Sequence, residues 1–159
     1  MENELKNTPV VGRTVSHSRT EQVQLLMQGA LNGYNRLFGG QLMEWIDVVA
    51  AVTARRHCGK NVTTAAVDSL VFKSPAMLND TILLEGHVTY AGRTSMEVCV
   101  TTYVEELDGE RREINKAYLV LVAIDDNGKP DTVPPLIPET DEEKREYAEA
   151  LERRKNRRN

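Results

Sequence analysis

This chain has little of what marks several large classes of protein. Cysteine occurs twice in 159 residues, and Cys58 and Cys99 stand alone, one at a helix end and one in a strand pattern, without the neighbours of a zinc or redox motif. That excludes a disulfide scaffold and suits a reducing cytoplasm. His17, His57 and His87 are the three histidines. They lack i, i+4 spacing and fall in three different elements, so neither a zinc site nor a hydrolase triad is supported. No stretch approaches the ~20 apolar residues that cross a membrane. The start, Met1-Glu2-Asn3-Glu4-Leu5-Lys6, lacks a basic segment followed by an apolar run, so no secretory signal is expected. Internal repeats and low-complexity tracts are missing too. Positive charge is in short supply overall: the formal net charge of -4 argues against bulk nucleic-acid affinity, although the C-terminal end is basic.

What remains fits one domain with a substantial core, which a second copy of the chain can complete. Residues 1–19 read as a flexible segment, and 20–27 as a first strand with Val23, Leu25 and Met27 on alternate positions. A loop follows. A helix then runs from about residue 40 to 57, closing on Arg55, Arg56 and His57 and then Gly59. Beyond it the period changes to two. Strands are expected over 62–72, 81–90 and 96–104, punctuated by Ala91-Gly92-Arg93 and Asp108-Gly109. Residues 118–124 are apolar without a break, which reads as a central strand covered on both faces and ended by Asp126-Asn127-Gly128. Residues 130–138 form an extended connector. Thr140 and Glu143 then supply a capping box for a last charged helix over 139–159, acidic at its start and basic at its end. One long helix and roughly five antiparallel strands make an α+β roll, with the sheet curled around the helix and the domain spanning 20–138.

The most informative stretch is 32–47. It ends a loop on Gly39 and Gly40 and then sets a carboxylate inside an apolar helix. From Leu42 to Ala54 only Glu44, Asp47 and Thr53 interrupt the apolar residues, so the helix reads as buried nearly all round. An unpaired ionised carboxylate in a core costs several kcal/mol, so such a residue is paired, protonated or chemically active. Gly40, Glu44, Asp47 and Ala51 share one helix face. A helix beginning near Gly40 also points free N–H groups at whatever lies beyond its end.

Asn32, Phe38-Gly39-Gly40, Ile46-Asp47, the segment 67–75 and Gly92-Arg93-Thr94-Ser95-Met96 stand in the order seen in acyl-CoA thioesterases of the hotdog fold. The chain resembles the bacterial and brain-type acyl-CoA hydrolase branch over roughly 20–138. The resemblance implies an antiparallel sheet wrapped around a long central helix, with an extra C-terminal helix here. It implies homodimers joined through their sheets, often assembled into hexamers as trimers of dimers, with active sites at the dimer interface. It implies hydrolysis of acyl-CoA to free CoA and a carboxylic acid, without metal and with no resident cofactor, CoA being part of substrate and product; the charge and the lack of long apolar runs leave no nucleic-acid or membrane partner expected. Asp47 falls on the family's catalytic carboxylate, and Asn32 on the Asn that some members bring to it from the other protomer. The chain departs from the pattern at Asn35, where members often carry Gly; Asn tolerates the left-handed backbone better than most residues.

Thioester hydrolysis needs an aimed water, a base and donors for the developing oxyanion. Asp47 is the expected base or, alternatively, a nucleophile, with Glu44 its rival on the same face. Asn32 is expected to hold water or carbonyl by its amide, against the plainer role of a loop turn. Gly40 lets the acyl group approach the helix end, and Thr64 matches a hydroxyl position of the family, with simple strand packing as the alternative. Phe38, Gly39, Lys73, Ser74, Arg93, Thr94 and Ser95 are expected to bind substrate or its CoA part; Lys73-Ser74 and Arg93-Thr94-Ser95 resemble family segments that face the nucleotide phosphates, with plain solvated turn residues as the alternative. Two rivals remain. A dehydratase on acyl thioesters needs a histidine beside the carboxylate, and none lies between His17 and His57. A non-catalytic acyl-CoA sensor needs no carboxylate in the helix at all.

Overall fold

The computed structural model describes residues 11–68 and 71–158. In chain order these form β1 (Arg13–Thr14), α1 (Val15–Ser18), β2 (Thr20–Leu25), α2 (Gly39–Cys58), β3 (Asn61–Asp68), β4 (Thr81–Ala91), β5 (Ser95–Glu105), β6 (Arg111–Ile124), β7 (Leu136–Ile137) and α3 (Asp141–Arg158). Five strands make one antiparallel sheet in the order β2-β4-β5-β6-β3. The expected α+β hotdog arrangement is present, with α2 lying in the curl of the sheet.

The helix α2 starts after Phe38, whose side chain offers no cap bond, and stops at Gly59. Gly59 takes φ 66° and donates its N–H to the Arg55 carbonyl at 2.8 Å, a left-handed stop that glycine adopts without penalty. Leu42, Ile46, Val49, Ala50, Thr53, Ala54 and His57 are buried, the i, i+3, i+4, i+7 set of one helix face. The closest approach is at β4, where a Cβ on Gly86 would meet Thr53 Oγ1 at 2.7 Å and Val49 Cγ1 at 2.8 Å. Burial all round is corrected. Glu44 and Arg55 are exposed and Val48 is 49% exposed, because five strands cover only part of the helix circumference and leave a stripe uncovered beside β3.

Three further expectations change. Val23, Leu25 and Met27 do alternate, but they are 62%, 55% and 66% exposed. β2 is an edge strand, and its inward positions are Thr20, Gln22 and Gln24. Residues 118–124 are not covered on both faces: Leu119, Leu121 and Ala123 are buried while the residues between them are only partly so. β5 holds the middle of the sheet instead, and Met96 to Thr102 are buried without a break. Residues 13–18, expected within a flexible segment, form β1 and α1. Val15 is 1% exposed in the core, and β1 pairs in parallel with β7 from the connector. The rest of the expected flexible segment, 1–10, and residues 69–70 of the expected strand 62–72 lie outside the described residues.

The helix α3 crosses the outer face of the sheet. Thr140 Oγ1 accepts from the Glu143 N–H at 3.0 Å, and the Glu143 carboxylate accepts from the Glu139 N–H at 3.0 Å, a capping box reaching one residue further back than the usual form. Along its length, Glu146 meets His87 at 2.6 Å and Tyr147 packs against Tyr90 with ring centroids 5.2 Å apart and planes tilted by 57°. The basic end is not simply a solvated dipole complement. Arg153 and Arg157 both donate to Glu97, which is 3% exposed. Read by alternation, Glu97 belongs on a solvent face; α3 encloses that face and neutralises it.

Candidate active site

Asp47 lies half-buried on the uncovered stripe of α2. Opposite it, Thr64 points inward from β3 and donates its hydroxyl hydrogen to Asp47 Oδ1 at 2.6 Å. One acceptor oxygen is thereby fixed and the other carboxylate oxygen is left to face the stripe. Glu44, one turn earlier, is exposed. The geometry therefore distinguishes the two carboxylates: Asp47 is oriented by a neighbour, and Glu44 sits in solvent.

At the start of α2 a Cβ on Gly40 would lie 2.5 Å from the Phe38 ring, so glycine is what allows Phe38 to fold over the helix end. With no side-chain cap, the first-turn N–H groups remain free to meet an oxyanion. The preceding loop is built by Asn32. Its Oδ1 accepts from the N–H groups of Tyr34 at 2.9 Å and Arg36 at 3.2 Å, and Asn35 takes φ 57°. The amide oxygen is used by the loop turn, leaving the NH2 group as a donor.

A cleft of about 380 Å³ gathers Asn32, Arg36, Leu37, Gly39, Phe72, Lys73, Ser74 and Pro75. Four predicted residues, Asn32, Gly39, Lys73 and Ser74, therefore meet. Lys73 is paired with Glu113, and Ser74 Oγ accepts from Arg112 at 2.5 Å. Arg36 and Arg112 were missed by sequence reasoning. Arg36 had a signal, its place between Asn32 and Phe38; Arg112 reaches Ser74 only through the β6 register. The hairpin of Arg93, Thr94 and Ser95 lies elsewhere. Lys73 N–H bonds to Ile114 on β6, whereas Ser95 pairs with Val122, so about 25 Å of strand separates them. Nor does Asn32 meet Asp47 within one chain: its side-chain oxygen is spent on the loop, and Asp47 stands eight residues, about 12 Å, along the helix from Gly39. A larger cleft, about 650 Å³ at the other end of α2, is lined by Val52, Arg55, Lys60 and Asp131 among others and by none of the predicted residues.

Among the described residues, the cysteines and histidines do not converge on Asp47. Burial pushes the Cys99 thiol up to about 11 and raises Cys58, so neither is a thiolate nucleophile at neutral pH. His57 is fully buried and donates from Nε2 to the Pro134 carbonyl at 2.8 Å. His87 is engaged with Glu146 on the outer face, and His17 with Arg13 at 2.9 Å.

A family model described as the thioesterase superfamily matches residues 34–109. The chain is 43% identical over 129 residues to YkhA of Bacillus subtilis, an uncharacterized acyl-CoA thioester hydrolase, covering 80% of this chain and 75% of that protein. Among solved structures, an apo-hexameric acyl-CoA thioesterase superposes with a TM-score of 0.90 at 43% identity, covering 94% of this chain and 96% of the other. An acyl-CoA hydrolase of Staphylococcus aureus, solved in complex with butyryl coenzyme A and coenzyme A, gives 0.86 at 38% identity over 92% of each chain. The Staphylococcus aureus enzyme has also been solved as alanine mutants of an Asn, an Asp and a Thr spaced 15 and 17 residues apart. The same spacings separate Asn32, Asp47 and Thr64. Matched at that identity over three quarters of a curated relative, and superposing over nearly its whole length, the chain belongs to the thioesterase superfamily and has its hotdog fold.

Proposed function

We propose that this protein hydrolyses acyl-CoA thioesters to free CoA and a carboxylic acid, with Asp47 as the reacting carboxylate. The observation that carries the reading is the 2.6 Å bond from Thr64, which aims Asp47 on the one helix stripe its own sheet leaves open. Asp47 takes a proton from water as the water oxygen adds to the thioester carbon. The carbonyl oxygen becomes an oxyanion, met by the Asn32 NH2 group and the free N–H groups at Gly40. The carbon–sulfur bond then breaks, and the departing thiolate is protonated to CoA. Direct attack by Asp47 is the alternative first step: it expels the CoA thiolate and forms a mixed anhydride, and in single-turnover hydrolysis in heavy-oxygen water opening of that anhydride at the Asp47 carbon leaves label in the protein carboxylate, which the general-base route does not do.

The site is completed by a second copy. β3 is an edge strand beside the uncovered α2 stripe, and an unpaired edge is a template for another strand. Pairing β3 with β3 about a twofold axis brings Asn32 of one chain toward Asp47 of its partner. Phe38, Gly39, Lys73 and Ser74 then bind substrate from one chain. The hairpin of Arg93, Thr94 and Ser95, too far along its own sheet to reach that cleft, meets the nucleotide phosphates from another. Dimers assemble further into a hexamer, as the hexameric neighbour does. No resident cofactor is invoked. Two buried free thiols suit a cytoplasmic protein, and among the described residues no helix is long and apolar enough to cross a membrane. None of the three histidines is turned toward Asp47, which disfavours a dehydratase.

Free thiol released from an acyl-CoA series running from acetyl to palmitoyl tests the reading directly. Turnover of at least part of the series is expected. Tight binding of acyl-CoA with no thiol release from any member would replace the enzyme with a sensor.

A further inference from the structure

β3 changes register once. Thr64 pairs with Leu121 and Ala66 with Val120, so Ala65 is an extra residue on the edge strand. A bulge of this kind exchanges the faces taken by the side chains that follow it. Thr64 stands opposite Leu121, in the core under α2, and turns inward to Asp47. Asp68, four residues later, would share that face in a regular strand. After the bulge it pairs with Tyr118, over whose ring the Arg153 guanidinium of α3 sits at 3.8 Å, and so it faces outward. There Arg157 Nη2 donates to Asp68 Oδ2 at 2.6 Å and to Glu97 Oε2 at 3.0 Å. One guanidinium nitrogen thus ties the edge strand to the central strand β5, passing over β6.

The tie matters because, among the described residues, β3 has only one neighbour within its own chain. Its ladder bonds to β6 are interrupted at the bulge, next to the residue whose hydroxyl must be aimed. Arg153 provides an internal contrast: it donates to Glu97 through Nε and Nη2 and covers Tyr118, but bonds to no residue of β3.

Resting on Asp47 as the reacting carboxylate, we propose that Arg157 is a positioning residue for the Thr64–Asp47 pair, holding the β3 bulge in place from the opposite face of the sheet through Asp68. It touches no substrate. It acts by fixing the direction of the Thr64 hydroxyl, and small misplacements of an aligning group are costly: about 1 Å can lose about a hundredfold in rate.

The test is steady-state hydrolysis of an acyl-CoA. Arg157→Met is expected to lower kcat by about tenfold with KM little changed, and Arg157→Lys to recover most of the loss, since an ammonium can also bridge the two carboxylates. Asp68→Ala removes the acceptor at the β3 end of the tie while leaving Arg157 on Glu97; it is expected to reproduce the loss and serves if Arg157→Met does not fold. Arg153→Met is expected to lower the Tm and leave kcat near the wild-type value. The decisive measurement adds Arg157→Met to Thr64→Val, where no further fall in kcat is expected because the aimed group is already gone. Multiplying losses in that double variant, or normal kcat in both folded Arg157→Met and Asp68→Ala beside an inactive Asp47→Asn, would overturn the positioning role alone. Full turnover by Asp47→Asn would instead remove the reading on which it rests.

Discussion

At the scale of single residues, the proposed chemistry rests on Asp47 and its hydroxyl partner Thr64. Asp47→Asn keeps size and hydrogen-bonding capacity but removes the base, so the expected outcome is a folded protein with kcat down by at least about a hundredfold. Near-normal turnover in that variant would promote Glu44. The pairing of Asp47 with a position seventeen residues later was legible only through the family resemblance, because nothing in the spacing of Thr64 announces which helix residue it meets. The Asn35 backbone was legible from the resemblance and chemistry together: the position is one where members often carry Gly, and a residue at φ 57° is what the tolerance of Asn for left-handed backbone implies. Glu97 was not legible. Its burial depends on arginines 56 and 60 positions later in the chain, and no local period encodes so distant a cover.

At the scale of elements, the end of α2 is anchored to the connector through His57, whose Nε2–H is taken by the Pro134 carbonyl while Nδ1 has no partner among the described residues. Burial is the main cause holding its proton affinity below the ordinary value of 6.5, with the nearby Arg13 and His17 adding to it and the Pro134 bond opposing. The neutral ring is the folded form. Its contribution is therefore intact above pH 6.5 and is lost as pH falls from 6.5 toward the lowered folded-state value, where the unfolded chain binds the proton more readily. Thermal unfolding measured from pH 7.5 down to 5 is expected to show the wild-type Tm falling more steeply than that of His57→Gln, which retains an N–H donor. Parallel curves would take His57 out of the linkage. The elements themselves were largely readable. Both hairpin turns, the glycine stop of α2 and the capped start of α3 follow from local residue chemistry. The outward apolar side of β2 and the half-covered strand β6 do not, since alternation reveals two faces without saying which one the rest of the molecule will cover.

At the scale of the whole molecule, the separation of Asn32 from Asp47 within one chain makes a mixing experiment informative. Asn32→Ala and Asp47→Ala are each expected to be weakly active. A dimer containing one of each has one doubly damaged site and one intact site, by its symmetry. Co-refolding equal amounts should recover about one quarter of wild-type activity, from half the dimers being mixed and half their sites intact. No recovery, with exchange verified by differently tagged chains, would place both residues in the same chain's site.

The short β1–β7 pair, joining Arg13 to Leu136 and Thr14 to Ile137, also bears on how the molecule assembles in time. Contacts between neighbouring segments form at little entropic cost, whereas a contact that closes most of the chain waits until the intervening sheet exists. The β4–β5–β6 meander is local and the β1–β7 pair is remote, so the pair behaves as a late latch, absent from the rate-limiting barrier. Weakening it shortens the lifetime of the native state without delaying its formation. Gly12 sits at this latch, where a Cβ would meet the Ile137 side chain at 2.9 Å. Stopped-flow kinetics of Gly12→Ala should show faster unfolding and an unchanged refolding rate; slower refolding would mean that the two ends of the chain meet early and help to nucleate the fold.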